Sequence, residues 1–258
     1  MQSSLSQPHV QSVERSLELL ETLARVEDLG LVEIAAQAGL QPSTAHRLLA
    51  TLVAHGYVVQ SATNKRYLLG YKLAELADAL NRRSERLRSL ANPHLRSIRQ
   101  ATGESVSLTM LEPPNVVYVD QIAGTQSVRM FARIGASVQA HATAAGKAML
   151  AFMAPDAVAA VVGEEPFAQL TSHTISSLAA LDSELKGIRQ LGYAVDNEEH
   201  ELGVGCVAAP IFDHAALVVA AISVSAPMPR IEVRIPSVLG ELLMERATSI
   251  SSELGWSR

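Results

Sequence analysis

LVEIAAQAGLQPSTAHRLLATLVAHGYV, residues 31–58, reads as a short helix, a glycine turn and a second helix that stops at a glycine. Ala45, Leu48, Leu49, Leu52 and Val53 fall at i, i+3, i+4, i+7 and i+8, the spacing of an apolar stripe on one helix face. Ser43, Thr44, Arg47 and Thr51 are left on the polar side, with His46 among them. Pro42 suits the first turn of that helix, where its missing N–H is not needed, and Gly39 supplies a permissive turn before it. A helix fixed in this way fits a major groove about 12 Å wide, its first residues against phosphates and base edges. Arg47 is the base-reading candidate, since a guanidinium can engage guanine O6 and N7 together. Ser43 and Thr44 suit phosphate oxygens. A plain helical hairpin with a solvated polar face shares this local pattern, so the flanking sequence has to decide.

After Gly56, the run YVVQSATNKRYLLG has two apolar stretches around a polar turn at Thr63 and Asn64, the pattern of a short β-hairpin. Lys65 and Arg66 sit near its tip, so the hairpin can act as a wing against the DNA backbone or minor groove. Upstream, Val13, Leu17, Leu20 and Ala24 form a further helical stripe. Three helices and a hairpin predict a winged helix-turn-helix over residues 11–70, after a flexible tail over residues 1–10.

The charge distribution agrees. The chain of 258 residues carries a net −5, but residues 1–100 hold 12 Lys or Arg against 9 Asp or Glu, a net of +3. The remainder holds 9 against 17, a net of −8, so only the N-terminal part is suited to phosphate. The length and a 48% hydrophobic content predict two domains, each with its own core. No signal-peptide pattern and no apolar run of 18 residues is present, which predicts a cytoplasmic chain with no membrane partner. One cysteine, Cys206, excludes an internal disulfide framework and a multi-cysteine metal cluster.

Three stretches carry a family resemblance. Ser12 to Gly70, with SVERSLELLE at its start and STAHRLLATLVAHGY at its centre, resembles the DNA-binding domain of IclR-type transcriptional regulators. HATAAGKAMLA at 141–151 and GYAVDNEEHELGVGCVAAPIFD at 192–213 resemble the two signature regions of that family's effector-binding domain. The resemblance implies an α+β chain: a winged helix-turn-helix, a helical linker, and a C-terminal mixed α/β domain of GAF- or PAS-like build.

Between the wing and that domain, Leu73, Leu76, Ala77, Leu80, Leu87, Leu90, Ala91, Leu95 and Ile98 mark helical stripes. Asn81, Arg82, Arg83 and Ser84 interrupt them, giving a linker helix over 71–84 and a C-terminal domain over 85–258, with Pro93 expected to end or kink the second helix. SVSLTML and NVVYVDQI flank a Glu-Pro-Pro turn, while GCVAAPIFD and LVVAAISVSAP are further strands. Helices are expected near 144–152, 155–162, 178–191 and 231–254.

In HATAAGK the small residues allow close approach of a ligand to the backbone, and Ala144 and Ala145 are placed to offer N–H donors to a carboxylate. Lys147 is expected at the surface or in a capping role, since helix lysines commonly reach water. In ISVS, Ser223 and Ser225 share one strand face, opposite Ile222 and Val224. The resemblance implies effector contacts at Ala144, Ala145, Asp196, Cys206, Ser223 and Ser225, and an apolar wall at Met130. The serines could equally satisfy nearby backbone.

Two chemistries compete. Asp196, Glu198, Glu199 and His200 resemble a carboxylate-rich metal set, and Cys206 with His200 a nucleophile and base. Neither HExxH nor GxSxG accompanies them, so no cofactor, metal or catalytic residue is assigned. The expected protein is a non-enzymatic, ligand-responsive regulator, by leaning a repressor. Its expected partners are a pseudopalindromic double-stranded operator, a small carboxylate effector and further copies of itself, as a homodimer or a dimer of dimers. A C-terminal domain that only oligomerises is the alternative.

Overall fold

A computed structural model describes residues 10–233 and 236–257, and the chain divides into two compact units at Arg83 and Ser84. The tail expected over residues 1–10 lies outside the described residues, apart from Val10.

In the first unit α1 (Gln11–Leu23), α2 (Leu31–Gln37) and α3 (Pro42–Ala54) pack around Leu19, Leu23, Ile34, Ala35, Ala45, Leu49 and Leu52. The antiparallel pair β1 (Val58–Gln60) and β2 (Tyr67–Leu69) closes that core with Val58 and Tyr67. Two expected stripes are corrected. On α1 the buried residues are Leu19 and Leu23, while Val13 and Leu17 are exposed; the helix carries two apolar stripes, and only one meets α3. On α3, Val53 is exposed because it lies about 100° around the helix from Leu52, at the edge of the buried stripe of Ala45, Leu49 and Leu52.

α4 (Lys72–Thr102) is one continuous helix, so neither the break after residue 84 nor an end at Pro93 is found. Proline removes a single intrahelical N–H bond. The helix bears that loss beside Leu87, Ala91, Leu95 and Ile98, which are fully in the core of the second unit.

That unit is built on six antiparallel strands in the order β5 (Ser137–Gln139), β4 (Asn115–Ile122), β3 (Ser105–Glu112), β8 (Val218–Pro227), β7 (Val204–Phe212), β6 (Ala194–Asn197). Period-two alternation divides it into two faces. Val106, Leu108, Val207, Ala209, Ile211, Ala220, Ile222, Val224 and Ala226 point to one side, against α4 and α9 (Pro236–Glu253). On the other side lie Ala194, Cys206, Ala208 and Ala221, covered by α5 (Ala144–Leu150), α6 (Pro155–Val162) and α7 (Leu178–Leu191). A short α8 (Met228–Val233) follows β8. The sequence reading misses β5 and β6, which have three and four residues and too little alternation to register.

Candidate DNA interface and effector cavity

On the first unit, Gly39 holds φ at +64° in the turn between α2 and α3, a conformation that suits glycine. Pro42 opens α3 and Ala45 and Leu49 anchor it, so Ser43, His46, Arg47 and Thr51 are displayed outward and Thr44 is half-buried. Gln11, Ser12 and Arg15 of α1 join Thr44, Arg47, Leu48 and Thr51 around a shallow groove of about 260 Å³. Those α1 residues are not foreseen from sequence, because their polar character alone does not place them beside α3.

The wing divides its two basic residues. Lys65 is exposed at the tip, with φ +59°. Arg66 turns back instead: Nε donates to Asp28 Oδ1 at 2.6 Å and Nη2 to Glu33 Oε2 at 2.8 Å. Glu33 also accepts the Gly30 N–H at 2.7 Å, capping α2. That N–H and the Arg66 guanidinium hold the Glu33 carboxyl below its usual range. Arg66 therefore ties the wing to α2, where the sequence suggests a DNA contact.

In the second unit the sequence motif Ser-Val-Ser occurs twice, at 105–107 and 223–225, and the two copies pair across the centre of the sheet. The register sets Ser105 opposite Ser225 and Ser107 opposite Ser223; Ser225 then faces Cys206, and Cys206 faces Asp196. A polar row thus runs over four strands on the face away from α4. It forms the floor of a cavity of about 240 Å³, lined among others by Ser107, Tyr118, Gln121, Met130, Arg133, Thr143, Ala145, Asp196, His200, Cys206, Ser223 and Ser225. Ser107, Tyr118, Gln121, Arg133 and Thr143 are absent from the sequence-based set. The repeated Ser-Val-Ser is the signal that would have found Ser107.

Six of the seven expected effector residues meet there: Met130, Ala145, Asp196, Cys206, Ser223 and Ser225. Ala144 is fully buried and does not line the cavity. The smallness of HATAAGK also has a different cause from ligand access. A Cβ on Gly146 would come within 2.1 Å of the Ala140 carbonyl oxygen, because the 3-10 turn Ala140–Ala142 packs directly on α5. Thr143 caps that helix by accepting the Gly146 N–H at 3.2 Å.

Lys147 is 0% exposed, against the expectation of a surface lysine. Its Nζ donates to Glu199 and, at 3.1 Å, to Glu184. α5 is buried all round, so its lysine can be accommodated only with carboxylates brought to it. The loop carrying Glu199 is fastened to suit: Thr174 Oγ1 donates to the Glu199 carbonyl at 2.6 Å, and the Glu199 N–H donates to Asp196 Oδ1 at 2.7 Å.

Burial pushes the Asp196 carboxyl up to about 7, with the neighbouring Glu199 charge adding to the effect and that N–H opposing it. Burial likewise takes the Cys206 thiol up to about 12, reinforced by Asp196, although Ser225 Oγ donates to its sulfur at 3.2 Å. His200 is depressed by burial, and its Nδ1 has no hydrogen-bond partner. Near pH 7 the Asp196 carboxyl is therefore about half protonated, among serine hydroxyls and a neutral thiol, with Arg133 and Glu201 also in the lining. A thiol held so far from ionisation makes a poor nucleophile. Among the described residues no group of His, Cys, Asp and Glu side chains is arranged to hold a metal ion.

A helix-turn-helix of this build joined to a sheet with a polar cavity can be set against known proteins. The model of the IclR helix-turn-helix domain matches residues 12–62, and that of the bacterial transcriptional regulator IclR C-terminal matches residues 80–252. The chain belongs to the IclR family. It is 34% identical to the transcriptional repressor IclR of Escherichia coli over 252 residues, covering 96% of this chain and 92% of that one. The crystal structure of Thermotoga maritima IclR matches with a TM-score of 0.76 at 34% identity, over 96% of this chain and 100% of the other. An IclR homolog from Microbacterium hydrocarbonoxydans complexed with 4-hydroxybenzoate matches with a TM-score of 0.75 at 28% identity, over 94% and 98%. The IclR family consists of DNA-binding transcriptional regulators, so the metalloenzyme and thiol-enzyme alternatives lose their footing. No helix among the described residues is long and apolar enough to cross a membrane.

Proposed function

We propose that this chain is a transcriptional repressor whose C-terminal cavity takes a small organic acid and thereby changes operator occupancy. The polar row of Ser107, Ser223, Ser225, Cys206 and Asp196 on the cavity floor carries this reading, because it sets hydroxyl, thiol and carboxyl groups side by side across an otherwise apolar sheet face, where a polar ligand in the cavity can reach them. The volume, about 240 Å³, lies below the range common for drug-sized ligands and suits a compact one. Serine hydroxyls, the Tyr118 phenol and Arg133 supply donors for a carboxylate, and Asp196 supplies one more in its protonated form, about half of it at pH 7. The relative complexed with 4-hydroxybenzoate supports a carboxylate of this size.

On the DNA side, Arg47 reads bases from α3, Ser43, Thr44, His46 and Thr51 position that helix, and Lys65 reaches the backbone from the wing. A two-fold dimer would set two such helices about 34 Å apart, on a pseudopalindromic operator. Effector binding and operator binding must then change one another's affinity by the same factor.

The test is thermal unfolding of the purified protein against keto, sugar and aromatic acids, 4-hydroxybenzoate included, followed by operator titration with and without any acid that binds. A dose-dependent rise in midpoint, together with a change in operator affinity, is expected. A flat panel would leave the C-terminal unit with oligomerisation alone.

A further inference from the structure

Between β4 and β5 the chain crosses the cavity as a strap, residues 123–136, without regular structure. Met130, Phe131, Ala132, Arg133 and Ala136 form part of the cavity wall, yet Phe131 is 75% exposed and Val128 and Ile134 also face outward. The ends of the strap are held by backbone: the Thr125 N–H donates to Gly103 O at 2.8 Å, and the Gly135 N–H to Tyr118 O at 2.8 Å. Its middle is held by three side chains. Ser105 Oγ donates to Met130 O at 2.5 Å, Gln121 Oε1 accepts the Ala132 N–H at 3.0 Å, and Arg230 Nη2 donates to Val128 O at 2.8 Å.

These three fastenings differ in kind. Gln121 is itself a cavity residue, and its Nε2 donates to Ser107 Oγ at 3.2 Å, so a ligand at Ser107 competes for the same group. Ser105 stands at the end of the polar row without lining the cavity, and its Oγ also accepts the Gly124 N–H at 3.1 Å. Arg230 acts from outside both the cavity and the row. Its guanidinium is fixed in a fork on Glu104, at 2.8 and 2.9 Å, and Glu104 is 1% exposed. Such a bidentate pair sets direction as well as charge, and it aims the remaining N–H at Val128. Arg230 also sits on α8, five residues beyond Ser225, so the helix that follows the cavity floor reaches over to hold the cavity wall.

We infer that Arg230 is a positioning residue for the effector cavity: through Glu104 and the Val128 carbonyl it latches the 123–136 strap closed over the ligand space. The inference rests on the cavity being the effector site, but its test needs no effector, so the strap can fail while the effector reading stands. Cys206, the single cysteine of the chain, is 9% exposed in that cavity and serves as the reporter. Alkylation requires the thiolate, which burial suppresses; opening the strap admits both water and reagent and raises the rate on both counts.

The experiment measures alkylation of Cys206 in the full chain by iodoacetamide, read by intact mass. Arg230→Gln is expected to raise the rate at least about tenfold, while Arg230→Lys, which keeps one contact to Glu104 but loses the fork, falls between it and the parent. Leu243→Ala, in the core on the opposite sheet face, is the control for general loosening. It should cost more thermal stability than Arg230→Gln and accelerate alkylation less. Parental rates in folded Arg230→Gln and Arg230→Lys would overturn the inference. So would an equal acceleration in Leu243→Ala, with each variant read at the same interval below its own midpoint. If Arg230→Gln does not fold, Arg230→Lys decides alone, at roughly threefold expected against no change.

Discussion

The two units place their functional chemistry on opposite sides of their own surfaces. In the first, small apolar residues hold α3 from behind and Arg47, His46 and Thr51 stand in solvent, where they can meet a partner larger than the unit itself. In the second, Ser107, Ser223 and Asp196 are buried around a cavity of about 240 Å³. Substitutions at the outward set should change recognition with little effect on folding. Those at the inward set should disturb both, since each buried polar group also satisfies a neighbour.

The largest effect is expected at Lys147. Removing it by Lys147→Ala leaves Glu199 buried without its cation, at a cost of about 3–5 kcal/mol in urea unfolding. The double change Lys147→Met with Glu199→Gln should recover much of that loss. Recovery of nothing would mean that shape, not charge compensation, governs the site.

Asp196 gives a pH signature. Its carboxyl is raised from 3.8 to about 7, so the folded unit holds a proton that the unfolded chain releases. The stability linked to it is complete below about pH 4 and is lost as pH rises through 7. About three units at roughly 1.4 kcal/mol each set a ceiling near 4 kcal/mol. Asp196→Asn should flatten the fall in urea midpoint between pH 4 and 8, and an unchanged slope would assign the titration elsewhere.

Arg47→Ala should cost about 1–3 kcal/mol on the specific operator and little on random DNA, measured by fluorescence anisotropy at fixed salt. An equal loss on both would make it a phosphate contact. The smallest and most discriminating pair is on the wing. Lys65→Ala should reduce the salt slope of DNA binding by about one, whereas Arg66→Ala should leave that slope in place and lower the thermal midpoint of the N-terminal unit slightly. A reversed outcome would break the division between outward and inward basic residues.

The same contrast explains what could be read from the sequence. The winged helix-turn-helix is legible because local periodicity and turn residues carry it, from Gly39 and Pro42 to the stripe at Ala45, Leu49 and Leu52. The errors in that unit arise where two readings satisfy one pattern: α1 has two apolar stripes, and NKR at a hairpin tip does not say which cation folds back onto Asp28. In the second unit the strands are legible and the cavity is only half so. Asp196, Cys206, Ser223 and Ser225 come together through cross-strand register, which no single strand specifies. Family resemblance supplied those four; Ala144 came from the expected N–H donors of HATAAGK as well as from the resemblance, and it faces the core. Lys147 misled for a physical reason: the carboxylates that permit its burial lie 37 and 52 residues away in the chain.

The strand order has a consequence for the birth of the protein. β3 and β8, the central pair, join Ser105 to Ser225, so the middle of the sheet must wait until almost the whole second unit has been synthesised. Non-local pairing of this kind slows folding, and until it closes, the β3 edge, with Val106, Leu108, Met110 and Leu111, is open to other chains. The first unit needs nothing beyond its own contiguous residues and can fold while the rest is still on the ribosome. During expression the nascent chain should therefore acquire its DNA-reading surface well before it acquires a cavity, and chaperone demand should concentrate on the stretch between β3 and β8.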